Sequence, residues 1–381
     1  MKAKLEHIQT RRDLNEFFDS VFQKTYQDLR ERQKFEYEDT LPKSYIVEFN
    51  TGDKESQYGS DENKRELLLK TLSDSQEEFR IELSETKDPS LLYINSRLGE
   101  FFIDSLDPRF LFIHTLTKSE KSSRFVLGDL ISNGHHFDSA WFIVQFLEKL
   151  STKNNIVEGW DARFNPIPDI SEIENPIYTR PRIAVSIDEP DSWEKYQRNK
   201  DIKFFNNLPL ETLRVRRITD DNQIARARIQ SNGKLTGRGT SFNEYLNIAV
   251  EVKDEYKKMV LGIEKEYSIK FSKSETISGF KFNGRPFSIQ FSHKILKFDD
   301  FLNKMFSCTL PFRLLGTPKE VSKEYVKVNA IDLHIGSQIS FEITPNFMRI
   351  YLPDKTCGNS VVRIIRSLQH EVDSNLIIDE I

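Results

Sequence analysis

Two stretches of the chain concentrate residues that can do chemistry. The first runs from Leu213 to Ser241. Arg214, Arg216 and Arg217 lie in one run, Arg226 and Arg228 in the next, and the connection 231–241, SNGKLTGRGTS, leads into a long apolar-striped segment. Arg214 and Arg216 are two residues apart, as are Arg226 and Arg228, so each pair projects from one face of a strand. Lys234, Gly237, Arg238, Gly239 and Thr240 follow. Read as a loop, the connection lets glycine bring the backbone close to a ligand. Thr240 or Ser241 then caps a helix whose first amides and positive dipole end attract an anion. Guanidinium, glycine and hydroxyl groups at a helix start are what a phosphate needs. The spacing is neither GxxxxGK[ST] nor GxGxxG, so no nucleotide motif is present. A solvent-facing basic strand pair that neutralises acidic neighbours has the same pattern.

The second stretch is 330–352, AIDLHIGSQISFEITPNFMRIYL. Its apolar alternation predicts a three-stranded antiparallel meander, turning at 336–338 and 345–346. Ile331, Leu333 and Ile335 then join Ile339, Phe341, Ile343, Met348, Ile350 and Leu352 on one face. The other face collects Asp332, His334, Ser340, Glu342, Arg349 and Tyr351, with Asp332 opposite Glu342 and Glu342 opposite Arg349. Asp332, His334 and Glu342 are candidate catalytic groups, as ligands of a divalent cation or as acid and base in a metal-dependent hydrolase. An open sheet face, held by a cross-strand pair such as Glu342–Arg349, looks the same.

Weaker signals complete the search. Arg363 and Arg366 follow the helix start at Cys357–Ser360, where an anion or an ordinary cap fits. Cys308, Cys357, His293 and His334 lack paired metal-ligand spacing. No GxSxG elbow or HExxH helix occurs. No metal is therefore assigned, and no cofactor is identified.

The elements that position these residues come in blocks, which predicts an α+β class: two domains, each with a largely antiparallel sheet packed by helices. Leu14, Phe17, Phe18, Val21 and Phe22 predict a first helix. Strands are expected at 44–50, 66–72, 79–84, 91–96, 101–103 and 109–117, then helices at 119–132 and 137–150. The Pro-rich stretch between Phe164 and Pro181 reads as a boundary, giving domains 1–165 and 182–381. Beyond it come a strand at 182–187, a helix at 191–205 and the basic hairpin 213–230. A long helix at 241–263, the meander and a final helix at 360–372 follow.

Composition narrows the classes. At 381 residues, two or three domains are expected. Hydrophobic residues are 38%, but 29 Phe, 12 Tyr and 3 Trp supply large buried areas, so a packed core is expected despite 30% charged residues. A net charge of -4 argues against an obligate nucleic-acid coat protein and leaves room for a local basic groove. Two cysteines without a CxxC fit a reducing, cytoplasmic setting. The first residues lack the apolar core of a secretory signal, and no run is long and apolar enough for a membrane span. The preferred expectation is a non-catalytic protein that binds a phosphate-bearing partner, nucleic acid first, through the Arg214–Thr240 region. The alternatives are the hydrolase and a protein-binding scaffold or regulatory subunit.

Overall fold

The computed structural model of the chain describes residues 5–32, 41–52, 60–151, 155–165, 183–189, 191–198, 208–273 and 280–380. The chain forms two compact units, and neither is continuous in sequence. One takes Met1–Ala140, Leu147–Gly159 and Thr212–Glu255; the other takes Trp141–Phe146, Trp160–Glu211 and Tyr256–Ile381. The basic hairpin, expected in a C-terminal domain, therefore belongs to the first unit. The boundary expected between Phe164 and Pro181 falls almost wholly outside the described residues, as does the end of the helix expected at 191–205.

The first half of the chain supplies α1 (Arg11–Arg32), β1 (Lys43–Phe49), α2 (Asp61–Asp74), β2 (Ile81–Glu85), β3 (Leu91–Ser96), β4 (Gly99–Asp104) and β5 (Phe110–Thr115). Then come α3 (Ser119–Ser123, prolonged by π-type turns over Arg124–Ile131), β6 (Phe137–Ser139), α4 (Val144–Ser151) and β7 (Ile156–Phe164). Next are β8 (Ile183–Ile187), α5 (Ser192–Arg198), β9 (Leu210–Ile218), β10 (Ile224–Gln230), β11 (Lys234–Gly239) and α6 (Phe242–Tyr267). In the first unit the sheet order is β2-β3-β4-β5-β1-β11-β10-β9-β7, with β6 laid against β1.

Two expectations for the first half of the chain are overturned here. Residues 66–72 are helical, not a strand. Ser60 Oγ accepts the Asn63 amide at 3.2 Å, Asp61 and Glu62 fill the first turn, and Leu68 and Leu72, one helical turn apart, are both buried. Residues 137–150 are not one helix. Phe137–Ser139 pairs with β1, Phe49 facing Phe137, and the helix starts only at Val144. Both stretches are locally ambiguous apolar runs whose state is chosen by the neighbour available to cover them.

The faces of this sheet are covered differently. Ser44, Leu235, Ala227 and Val215 lie on the face that meets α1 and α6, where Phe18 packs on Phe242 with ring centroids 5.0 Å apart and Phe22 on Tyr245 at 5.5 Å. On the opposite face, Tyr45, Val47 and Phe49 join Leu68, Leu72, Phe125, Val126, Leu130 and Phe137 in a buried cluster over β1–β5. The arginines occupy this second face farther along, on β9, β10 and β11.

The second unit adds β12 (Ser268–Lys273), β13 (Phe280–Asn283), β14 (Phe287–Gln290), α7 (Phe298–Met305), β15 (Leu314–Gly316), β16 (Lys319–Ser322) and β17 (Tyr325–Asp332). It ends with β18 (Ser337–Ile343), β19 (Phe347–Pro353), α8 (Gly358–Glu371) and β20 (Ile377–Ile378). Its main sheet path is β13-β12-β19-β18-β17-β15, with β14 on β19, β20 on β14 and β16 on β17. The pairings are antiparallel except β12 with β19. In this unit too, β8 pairs antiparallel with the Trp160–Phe164 end of β7. The class is α+β with two largely antiparallel sheets, as the block pattern of the sequence predicts. No described helix is long and apolar enough to cross a membrane.

Candidate functional site

β9, β10 and β11 form an antiparallel ladder in which Arg226 faces Arg216 on one side and Arg238 on the other, while Arg228 faces Arg214 and Thr236. Directly opposed residues share a face, and so do residues two apart along a strand. Arg214, Arg216, Arg226, Arg228 and Arg238 therefore stand together on one sheet face, in two adjacent rows, and all five are half-buried. Two of them meet one carboxylate. Arg216 Nε lies 3.2 Å from Glu158 Oε1, and Arg226 Nε lies 3.0 Å from Glu158 Oε2. Glu158 sits on β7, a strand the sequence reading missed; the run IVEGWDARF (156–164), rich in apolar and aromatic residues, was its signal. Arg217, one residue out of phase, binds the α6 carboxylate of Glu251 through both terminal nitrogens, at 2.9 and 2.7 Å.

The remainder of the expected phosphate loop has other work. Residues 234–239 are strand, not loop, and Gly237 is glycine because a Cβ there would lie 2.6 Å from the rings of both Phe22 and Tyr245. Thr240 closes the β10–β11 end, its amide donating to the Ile224 carbonyl at 2.7 Å and its Oγ1 accepting the Ile224 amide at 2.8 Å. At Gly239 (φ +153°) a side chain would collide with that same carbonyl. Lys234 is buried, donates to Ser123 Oγ at 3.0 Å and to Ser119 Oγ, and lies 5.6 Å from the centre of the Tyr45 ring. Its burial under α3 separates it from the arginine rows. The N-terminus of α6 is also occupied: Asp19 accepts the Phe242 amide at 2.7 Å, and Ser241 Oγ accepts that of Glu244 at 3.3 Å. An anion on those amides would have to displace Asp19. Of the expected set, the structure thus brings together the arginines and sets Lys234, Gly237, Gly239 and Thr240 to packing and capping.

The polar meander face is corrected by its register. β17 pairs with β18 so that Asp332 faces Ser337 and Glu342 faces Lys327. Val326, Val328 and Ala330 point inward, which carries Asp332 inward as well and leaves Ile331 44% exposed. Asp332 and Glu342 therefore lie on opposite faces. The alternation of Ile331, Leu333 and Ile335 does not set the phase, because Leu333–Gly336 belongs to the turn and the alternation from Val326 governs. The expected Glu342–Arg349 opposition is present, and Met348, Ile350 and Leu352 are buried with Ile339, Phe341 and Ile343.

Asp332 is fully buried. Its carboxylate accepts from Arg363 Nη2 at 2.5 Å, from Ser360 Oγ and from the His334 amide at 3.0 Å, while Arg363 Nε donates to the Phe312 carbonyl at 3.1 Å. Burial alone would raise the Asp332 pKa, but Arg363, His334 and the two hydrogen bonds overcome it and hold the group below its ordinary value. Glu342, on the outer face, accepts from Lys327 at 2.9 Å and Tyr351 at 2.9 Å, and its pKa is lowered mainly by Lys327. Asp332, His334 and Glu342 thus do not converge. The helix start at Cys357–Ser360 is likewise spoken for, with the Gly358 amide donating to Glu264 at 2.9 Å.

Fold and site define an α+β protein with two largely antiparallel sheets, one of them carrying an arginine-lined face. Compared with known proteins, the chain belongs to the family of MJECL33-like proteins, whose model matches residues 2–380. A relative, the uncharacterized protein MJECL33 of Methanocaldococcus jannaschii, is 25% identical over 407 residues, covering 98% of this chain and 94% of that one. No solved structure matches the chain.

Proposed function

We propose that this protein binds nucleic acid through the arginine face of β9, β10 and β11. The supporting observation is the register that gathers Arg214, Arg216, Arg226, Arg228 and Arg238, half-buried, on one face. Co-facial guanidinium groups give planar, bidentate donors, which suits an array of phosphates. A net charge of -4 over the whole chain makes such a local concentration of positive charge a directional feature that orients an approaching polyanion.

The test is titration with short single- and double-stranded nucleic acids at two salt concentrations. Binding should weaken steeply as salt rises, because each neutralised phosphate releases counterions. The Arg226→Ala, Arg228→Ala double variant should lose most of the affinity while melting close to the parent temperature. Absence of binding in the parent, or unchanged binding in the double variant, overturns the reading.

A further inference from the structure

Resting on that reading, the geometry points to how the partner is held: we propose that Glu158 occupies the place of a backbone phosphate, and that nucleic acid is engaged through its phosphodiesters, in competition with Glu158, without base readout. Arg216 and Arg226 are directly opposed across two strands. One carboxylate stands between them: Oε1 lies 3.2 Å from Arg216 Nε and accepts from Arg226 Nε at 3.2 Å, and Oε2 lies 3.0 Å from Arg226 Nε. A phosphodiester presents the same pattern, a single negative charge shared by two terminal oxygens, so the bridge is a template for it. Glu158 is not locked in place: its side chain is 24% exposed and sits at the margin of the array. Arg238 continues the same row, and Arg228 and Arg214 form the next, so the bridged position adjoins further guanidinium groups.

The other positions that the register places on these strands' shared face are Thr212, Ile218, Ile224, Gln230, Thr236 and the buried Lys234. None is aromatic, so the face lacks the rings on which unpaired bases stack. Contacts to phosphate fix position and carry no sequence information. The partner this face suits is therefore nucleic acid of any sequence.

Glu158→Gln removes the competing charge and keeps the shape. Duplexes of unrelated sequence should bind this variant several-fold tighter than they bind the parent, and by the same factor. The plot of log affinity against log salt should steepen by roughly 0.7–0.9, the contribution of one additional phosphate whose counterion is released. Should Glu158→Gln melt early, Glu158→Asp, which keeps the charge but shortens its reach, should still bind tighter. Unchanged or weaker binding by the folded Gln variant overturns the competition, and a tenfold preference of the parent among sequences overturns backbone-only recognition. Those failures leave the broader reading standing provided that Arg226→Ala, Arg228→Ala still abolishes binding. If neither the parent nor Glu158→Gln binds any nucleic acid, it is the broader reading that fails.

Discussion

The arginine face on β9–β11 and the pair formed by Asp332 of β17 with Arg363 of α8 are both charged clusters built against antiparallel sheets, and they differ in how far they are closed to water. Arg363 and Asp332 are fully buried, and the Asp332 carboxylate is met by Arg363, Ser360 and a backbone amide. Charges taken out of water persist when their hydrogen-bonding capacity is satisfied internally, and that closure leaves little for a ligand. The arginine face is half-buried, and the side chain of Glu158 that bridges two of its members is itself 24% exposed. The Nε atoms of Arg214, Arg216 and Arg228 are buried, while each of these residues as a whole stays partly exposed. Charge count does not separate these two clusters; closure to water does.

Breaking the buried pair should produce the largest effect. Asp332→Ala leaves Arg363 as an uncompensated buried charge and should cost about 3–5 kcal/mol, read as a lowered denaturation midpoint. Nucleic-acid affinity measured below that midpoint should be unchanged; a Asp332→Ala variant as stable as the parent would remove the contrast. Gly237→Ala tests the packing behind the arginine rows. The new methyl meets the rings of Phe22 and Tyr245, which should cost about 1–3 kcal/mol.

Acid should weaken the fold through groups outside both clusters. Burial lowers the His114 pKa to about 3, with Lys253 adding to the effect, and burial followed by Arg366 lowers that of His370. An unfolded histidine titrates near 6.5, so below that pH the unfolded chain binds protons that the folded chain refuses. Stability is therefore fully present above about pH 6.5 and declines as pH falls toward 3. His114→Gln should flatten part of that decline between pH 7 and 5, as followed by thermal melts. The smallest effect belongs to the outer meander face. Glu342→Gln loses half-exposed bonds to Lys327 and Tyr351, and its melting temperature should barely move.

Much of the fold is legible along the chain. The hairpin β9–β10, the long α6, the strands β3 to β5 and the final α8 all carry strong local patterns, with alternation or helical spacing sustained over several turns or pleats. The arginine face was legible too, because Arg214, Arg216, Arg226 and Arg228 alternate with Val215 and Ala227, and hairpin pairing does the rest. What local pattern misread were short apolar runs, 66–72 and 137–150, and the phase of β17, where two alternations of similar quality compete. Glu158 could not be linked to Arg216 and Arg226 from spacing, since it lies more than fifty residues away and reaches them only by lateral strand pairing.

By itself the sequence determined which faces of β9, β10, β18 and β19 are apolar, where the two arginine-bearing strands run and that the protein mixes helices with antiparallel sheets. Those properties follow from periodicity, which is local. The tertiary structure decided which charges are enclosed. Asp332 became a buried partner of Arg363 because β17 takes its phase from Val326, Val328 and Ala330, and α8 sets Arg363 against it. The arginines stayed within reach of solvent on β9–β11, beyond the strands that the buried cluster around Phe125 and Leu130 covers. Burial depends on what packs across a face, and no spacing along one chain carries that information.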